Sequence, residues 1–139
     1  MNILFVCTGN LNRSPAAQTI MEKLSPRDHV DSAATINKEH MLTTKKMRYA
    51  LEKAGYNYTY IYSKPVTKKL ITWADIVFYM QPSHRVDLNK FGKSAKYVNL
   101  AKYVKKTSIH DPHFEDAKAF DKAVKEIETA IKNYLKSRK

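Results

Sequence analysis

The chain holds one cysteine, Cys7, and six residues later an arginine, in the string Cys7-Thr8-Gly9-Asn10-Leu11-Asn12-Arg13-Ser14-Pro15. A thiolate is a soft nucleophile that forms covalent intermediates with acyl and phosphoryl groups. A guanidinium is a planar fork that grips two oxygens of a phosphate at once. Between them, Gly9 accepts positive φ and Asn10 is one of the few other residues that tolerates it, so the turn is expected to aim successive N–H groups inward as an anion nest. Pro15 suits the first turn of a helix, with Ser14 read as its cap. The free N–H groups and dipole of that helix would face the same anion. A nucleophile, an oxyanion cradle and a fixed cation together specify attack on a phosphate ester. The G-x-x-x-x-G-K-[ST] and G-x-G-x-x-G loops that bind nucleotides are both missing.

Such a loop works only if a strand delivers the cysteine and a helix receives the arginine. The apolar run NILFV over residues 2–6 reads as a strand buried on both faces, and Ala17, Ile20, Met21 and Leu24 mark a helix after the loop. Further strands are expected over 29–34, 75–81 and 95–100, and helices over 44–54, 66–74 and 83–91. Gly55 and Gly92 are read as stops. From Glu115 onward, Phe120, Val124, Ile127, Ile131, Tyr134 and Leu135 recur at helical spacing, which predicts a long amphipathic C-terminal helix. Alternating strands and helices predict a single α/β domain over 1–139: a central four-stranded parallel sheet, helices on both faces, and a phosphate-binding loop after the first strand.

Composition narrows the function classes. With 139 residues and 43% hydrophobic residues the chain can bury a core, which rules out wholesale disorder. No apolar run approaches the roughly 18 residues of a membrane span, and the N-terminus lacks the pattern of a secretory signal, so a cytoplasmic location is expected. One cysteine permits no internal disulfide and no cysteine-based zinc cluster. A net charge of +12 implies attraction to an anionic partner. No basic stripe interleaved with aromatics supports single-stranded nucleic acid, so that partner is not expected to be nucleic acid. His110 and His113 make a weak metal pair without a third ligand.

The loop resembles the signature of the low-molecular-weight protein tyrosine phosphatases, Cys-x5-Arg-Ser directly after the first strand, present as CTGNLNRS. The resemblance continues through VDSAAT (30–35), VTKKLITWADIVFYMQPSHR (66–85) and Asp111-Pro112, and covers essentially the whole chain. It implies Cys7 as nucleophile, Arg13 as transition-state clamp and Asp111 as general acid. Thr8, Gly9, Asn10, Leu11, Asn12 and Ser14 would surround the substrate phosphate, and Ser14 would hydrogen-bond the thiolate. Asn10 and Ser32 would brace the loop. The implied substrate is a phosphotyrosine protein or peptide, with acidic flanks favoured by the positive charge. Inorganic phosphate is the product, and no metal or other cofactor is required.

The chain departs from the pattern in several places. Many relatives have a second cysteine where Asn12 stands, so over-oxidation of Cys7 is expected to be less reversible here. His113 and Phe114 replace the tyrosine pair of the animal enzymes and are expected to contact the substrate, with Phe114 still able to wall an aromatic group. Ile61 lies near the place of a histidine that braces the loop asparagine in animal relatives. Leu11 matches tyrosine-directed members rather than the threonine of the protein-arginine phosphatase branch. The other readings are a phosphoarginine phosphatase, an arsenate reductase using an external thiol, and a phosphate- or nucleic-acid-binding module with little activity.

Overall fold

The computed structural model describes residues 1–138. Four strands, β1 (Asn2–Cys7), β2 (His29–Ala34), β3 (Ile76–Tyr79) and β4 (Tyr97–Asn99), form one parallel sheet in the order β2-β1-β3-β4. Central β1 is buried on both faces, which is why its sequence is a continuous apolar run. Its odd residues Ile3, Phe5 and Cys7 join one core with α1 (Arg13–Leu24), α2 (Lys45–Lys53) and α5 (Ala117–Ser137). The even residues Leu4 and Val6 join a smaller core with α3 (Lys68–Trp73) and α4 (Pro82–Leu88). The sheet is therefore covered on both faces, as expected.

The element boundaries follow local chemistry. Thr44 and Thr67 cap α2 and α3 by accepting the N–H groups of Met47 and Leu70. Phe120, Val124, Ile127, Ile131 and Tyr134 are all buried along α5, which packs against α1 and α2. The strands β3 and β4 are shorter than the sequence predicts. Met80 turns out of the ladder to accept the N–H of Ile109, and Gln81 becomes the N-cap residue of α4. After Asn99 a 3-10 turn over Leu100–Val104 begins, its Ala101 N–H held by the Asn99 side chain.

Chain order reverses at β1: β2 lies on one side and β3 on the other. Ligands in open parallel sheets bind beyond the carboxyl ends of the strands at such a point. Here that crevice is bounded by the loop after β1 and by the turn after β3.

At the opposite end of the molecule, Asp28 ties the N-terminus to Arg138 after α5. It accepts the N-terminal ammonium at 3.0 Å, the Ser25 hydroxyl at 2.6 Å and Arg138 at 2.9 Å. Burial alone pushes the carboxyl up, but hydrogen bonds from Ser25, Arg138 and the N-terminus outweigh it and hold it down at about 2. A depressed carboxylate contributes stability above its unfolded pKa of 3.8, and that contribution disappears as pH falls toward about 2. Asp28→Asn is expected to cost on the order of 2 kcal/mol at neutral pH by urea denaturation, with the gap to wild type closing between about pH 4 and pH 2. A gap independent of pH would contradict this assignment.

Candidate active site

Cys7 ends β1 with its side chain buried, and the chain turns at once. The left-handed position in this turn is Asn10, at φ 54°, and not Gly9, whose φ is not positive. A Cβ on Gly9 would meet Leu11 at 3.7 Å, an ordinary contact. Asn10 tolerates this backbone because both ends of its side-chain amide are hydrogen-bonded. Its amide donates to Ser14 Oγ at 2.7 Å, and its Oδ1 accepts the Lys64 N–H at 3.2 Å. Because Ser14 Oγ accepts from Asn10, its hydroxyl proton is free for Cys7 Sγ, 3.0 Å away. The Ser14 N–H also points at the sulfur, at 3.4 Å.

These contacts correct two sequence expectations. Ser14 is not the helix cap: α1 begins at Arg13, Asn12 is the cap residue without a side-chain cap bond, and the Ser14 hydroxyl is turned to sulfur. Among the described residues Ser32 makes no side-chain hydrogen bond to the loop; its hydroxyl donates to Gln18 of α1 at 2.6 Å. The bracing expected of Ser32 falls to the backbone N–H of Lys64. That residue is fixed by its own ion pair with Asp31.

Arg13 is 1% exposed. One guanidinium nitrogen, Nη1, donates to Gln81 Oε1 at 2.7 Å and to the Ile109 carbonyl at 2.8 Å. The other, Nη2, lies 3.6 Å from Asp111 Oδ2, while Nε has no partner among the described residues. A buried guanidinium so incompletely paired is costly unless an oxyanion meets it. Cys7, Arg13 and Asp111 line one cleft of about 240 Å³, together with Thr8, Gly9, Leu11, Asn12, Ile36, Lys38, His113 and Phe114. Asp111 stands at the mouth with its side chain 43% exposed, and Phe114 projects into solvent.

The side chains of Thr8 and Asn12 are committed to the protein, which leaves their backbone for a ligand. Thr8 Oγ1 is 2.9 Å from His84 Nε2, and Asn12 bridges Thr44 and His113. Gln81, His84, Thr44, Lys64, Ile36 and Lys38 were not singled out by the sequence reading. For Gln81 and His84 a signal existed: QPSH follows the third apolar strand, at the carboxyl edge where ligands bind.

His84 Nδ1 accepts the Met80 N–H at 3.2 Å, so Nε2 carries the proton and donates to Thr8. Burial first, and then the charge of Arg13, lower this imidazole to about 4, against a small opposing pull from Asp111. Between its ordinary value of 6.5 and about 4, the unfolded chain binds a proton that the folded chain does not. Stability should therefore decline as pH falls through that window, by up to about 1.4 kcal/mol per pH unit. The His84 ring should remain neutral at pH 5 by NMR, and His84→Gln should flatten the decline. A ring already protonated at pH 6 would refute it.

A parallel sheet with a cysteine-arginine anion loop at its switch point defines a class of cysteine-dependent phosphatase folds. The family model "Low molecular weight phosphotyrosine protein phosphatase" matches residues 2–139, and the chain belongs to that family. It is 26% identical to the low molecular weight protein-tyrosine-phosphatase Ptp of Acinetobacter johnsonii, over 97% of this chain and 96% of that protein. It is 31% identical to a protein-arginine-phosphatase of Geobacillus stearothermophilus, over 93% and 90% of the two chains. The fold superposes on a crystal structure of a protein tyrosine phosphatase from Entamoeba histolytica with a TM-score of 0.90. That pair is 28% identical, with 97% and 94% of the two chains covered. No helix among the described residues is long and apolar enough to cross a membrane.

Proposed function

We propose that the protein hydrolyses phosphotyrosine in proteins or peptides through a cysteinyl-phosphate intermediate. The observation that carries this reading is the convergence of Cys7 Sγ, the buried Arg13 fork and the Asp111 carboxyl on one cleft. The Cys7 thiolate attacks phosphorus, an S–P bond forms, and the P–O bond to the aryl group breaks. The electron pair leaves on the phenol oxygen, which takes the Asp111 proton. Asp111, now a carboxylate, removes a proton from water as that water attacks phosphorus. The S–P bond breaks, the thiolate returns and inorganic phosphate departs. During both steps the charge on the equatorial oxygens is met by the loop N–H groups and Arg13.

Tyrosine is favoured over arginine by the walls of the cleft. Leu11, Ile36 and Phe114 are apolar, and Lys38 adds a positive charge near Arg13. An aromatic leaving group gains from such walls, whereas a cationic guanidine meets like charges and one carboxylate. The Lys38 ammonium and the net charge of +12 favour acidic residues beside the phosphotyrosine.

The test compares kcat/KM for a phosphotyrosine peptide and a phosphoarginine peptide of the same sequence. Tyrosine is expected to win by at least about tenfold, and a preference for arginine would reverse the substrate assignment. Asp111→Asn should lower kcat/KM on the phosphotyrosine peptide by roughly 10²-fold, the scale of a lost general acid.

A further inference from the structure

We propose that Asn12 and His113 form a latch that positions Asp111 for proton transfer; the proposal rests on the phosphatase reading above. Residues 109–115 cross the cleft as an irregular segment. Its ends are fixed, Ile109 by Met80 and Arg13 and Glu115 by Lys46. Among the described residues, one hydrogen bond reaches residues 110–114 from outside that segment. It joins Asn12 Nδ2 to His113 Nδ1 at 2.9 Å.

The direction of this bond follows from its neighbours. Thr44 Oγ1 accepts the Met47 N–H and gives its proton to Asn12 Oδ1. With its oxygen committed, the Asn12 amide presents its NH₂ to His113, so His113 Nδ1 is the acceptor and carries no proton. Asn12 is 4% exposed and is held by the Thr44 hydroxyl, which makes it a firm anchor. Across the latch, the His113 N–H donates to Asp111 Oδ1 at 3.2 Å. That N–H occupies Oδ1 and leaves Oδ2, the oxygen turned toward Arg13, to handle the proton. Pro112 between the two residues limits backbone freedom, so fixing the His113 ring fixes the Asp111 carboxyl. Without the latch, only the buried Pro112 and the 3.6 Å approach of Asp111 to Arg13 hold the segment between its ends, and the carboxyl loses its register with the leaving oxygen.

Asn12 and His113 are thus positioning residues, and their loss should mimic a partial loss of the acid. The diagnostic is leaving-group dependence. A phenolate from phenyl phosphate needs protonation, whereas a dinitrophenolate leaves without it. The measured quantity is kcat/KM, which reports P–O cleavage even when hydrolysis of the intermediate limits kcat.

For Asp111→Asn, a fall of roughly 10²-fold is expected on phenyl phosphate and only a small fall on dinitrophenyl phosphate. His113→Ala and Asn12→Ala should each lose roughly tenfold more on phenyl phosphate than on the activated ester. His113→Asn, whose Oδ1 can accept at the place of Nδ1, should recover most of the loss. Retained turnover of the activated ester shows that each variant is folded. Equal losses on both esters, unchanged activity on both, or no rescue by His113→Asn would overturn the latch. If the wild type hydrolyses neither ester, the phosphatase reading itself has failed, and the latch with it.

Discussion

Cys7→Ser is expected to lower kcat/KM on a phosphotyrosine peptide by roughly 10⁴-fold or more, with urea stability close to wild type. The sulfur sits at the end of β1 with the Ser14 hydroxyl and N–H aimed at it. Those donors favour a charged nucleophile, and a serine hydroxyl at neutral pH remains protonated with no general base in contact. Its oxygen is smaller than sulfur and fits the same buried space, so folding should survive. Phosphate binding should survive too, because the loop N–H groups and Arg13 are unchanged. Loss of turnover with retained phosphate affinity, read by calorimetry, is therefore the expected pair of results. A variant within about tenfold of wild type would remove Cys7 from the chemistry.

The second large effect is expected at Arg13. Arg13→Lys should reduce activity by roughly 10³-fold, with most of the loss in kcat. Lysine keeps the charge but not the fork. In the wild type, Nη1 is spent on Gln81 and the Ile109 carbonyl, which fixes the guanidinium plane while Nη2 and Nε remain for the ligand. A lysine ammonium cannot hold both protein acceptors and two phosphoryl oxygens in one plane. Charge developing on the equatorial oxygens then loses its preorganised partner, a loss felt most in the transition state. Some stability should also be lost, since the Gln81 and Ile109 acceptors lose a buried donor. A circular-dichroism melt separates that loss from the kinetic one. Equal changes in kcat and KM that track unfolding would contradict the assigned role.

The sheet and its loop were legible because their signals are local. A doubly buried strand leaves an unbroken apolar run, and a phosphate loop leaves Cys-x5-Arg within a few residues. The family resemblance rested on that string together with VDSAAT, the 66–85 segment and Asp111-Pro112. Support of the site was less legible because it depends on long-range pairing. Nothing near Asn10 announces that its oxygen will meet the Lys64 N–H, since that contact forms only when the bridge between Ala34 and Pro65 brings the segments together. Ser32 lies on the strand beside the loop, but its hydroxyl turns to Gln18, a choice of partner that no spacing encodes. Gln81 and His84 were visible as polar residues after a strand. Their roles depend on β3 lying beside β1, which strand order decides and periodicity does not. Gly9 carries a further lesson: the left-handed position fell to Asn10 because the asparagine side chain supplies two hydrogen bonds that glycine lacks.

The central claim is that phosphate passes through Cys7. The most direct test mixes the wild-type enzyme with a phosphotyrosine peptide, quenches it within milliseconds, and maps the phosphoryl group by mass spectrometry. The account predicts a phosphoryl group on Cys7 and a burst of dephosphorylated peptide approaching one per enzyme. Steady turnover with Cys7 unmodified and no burst would contradict it.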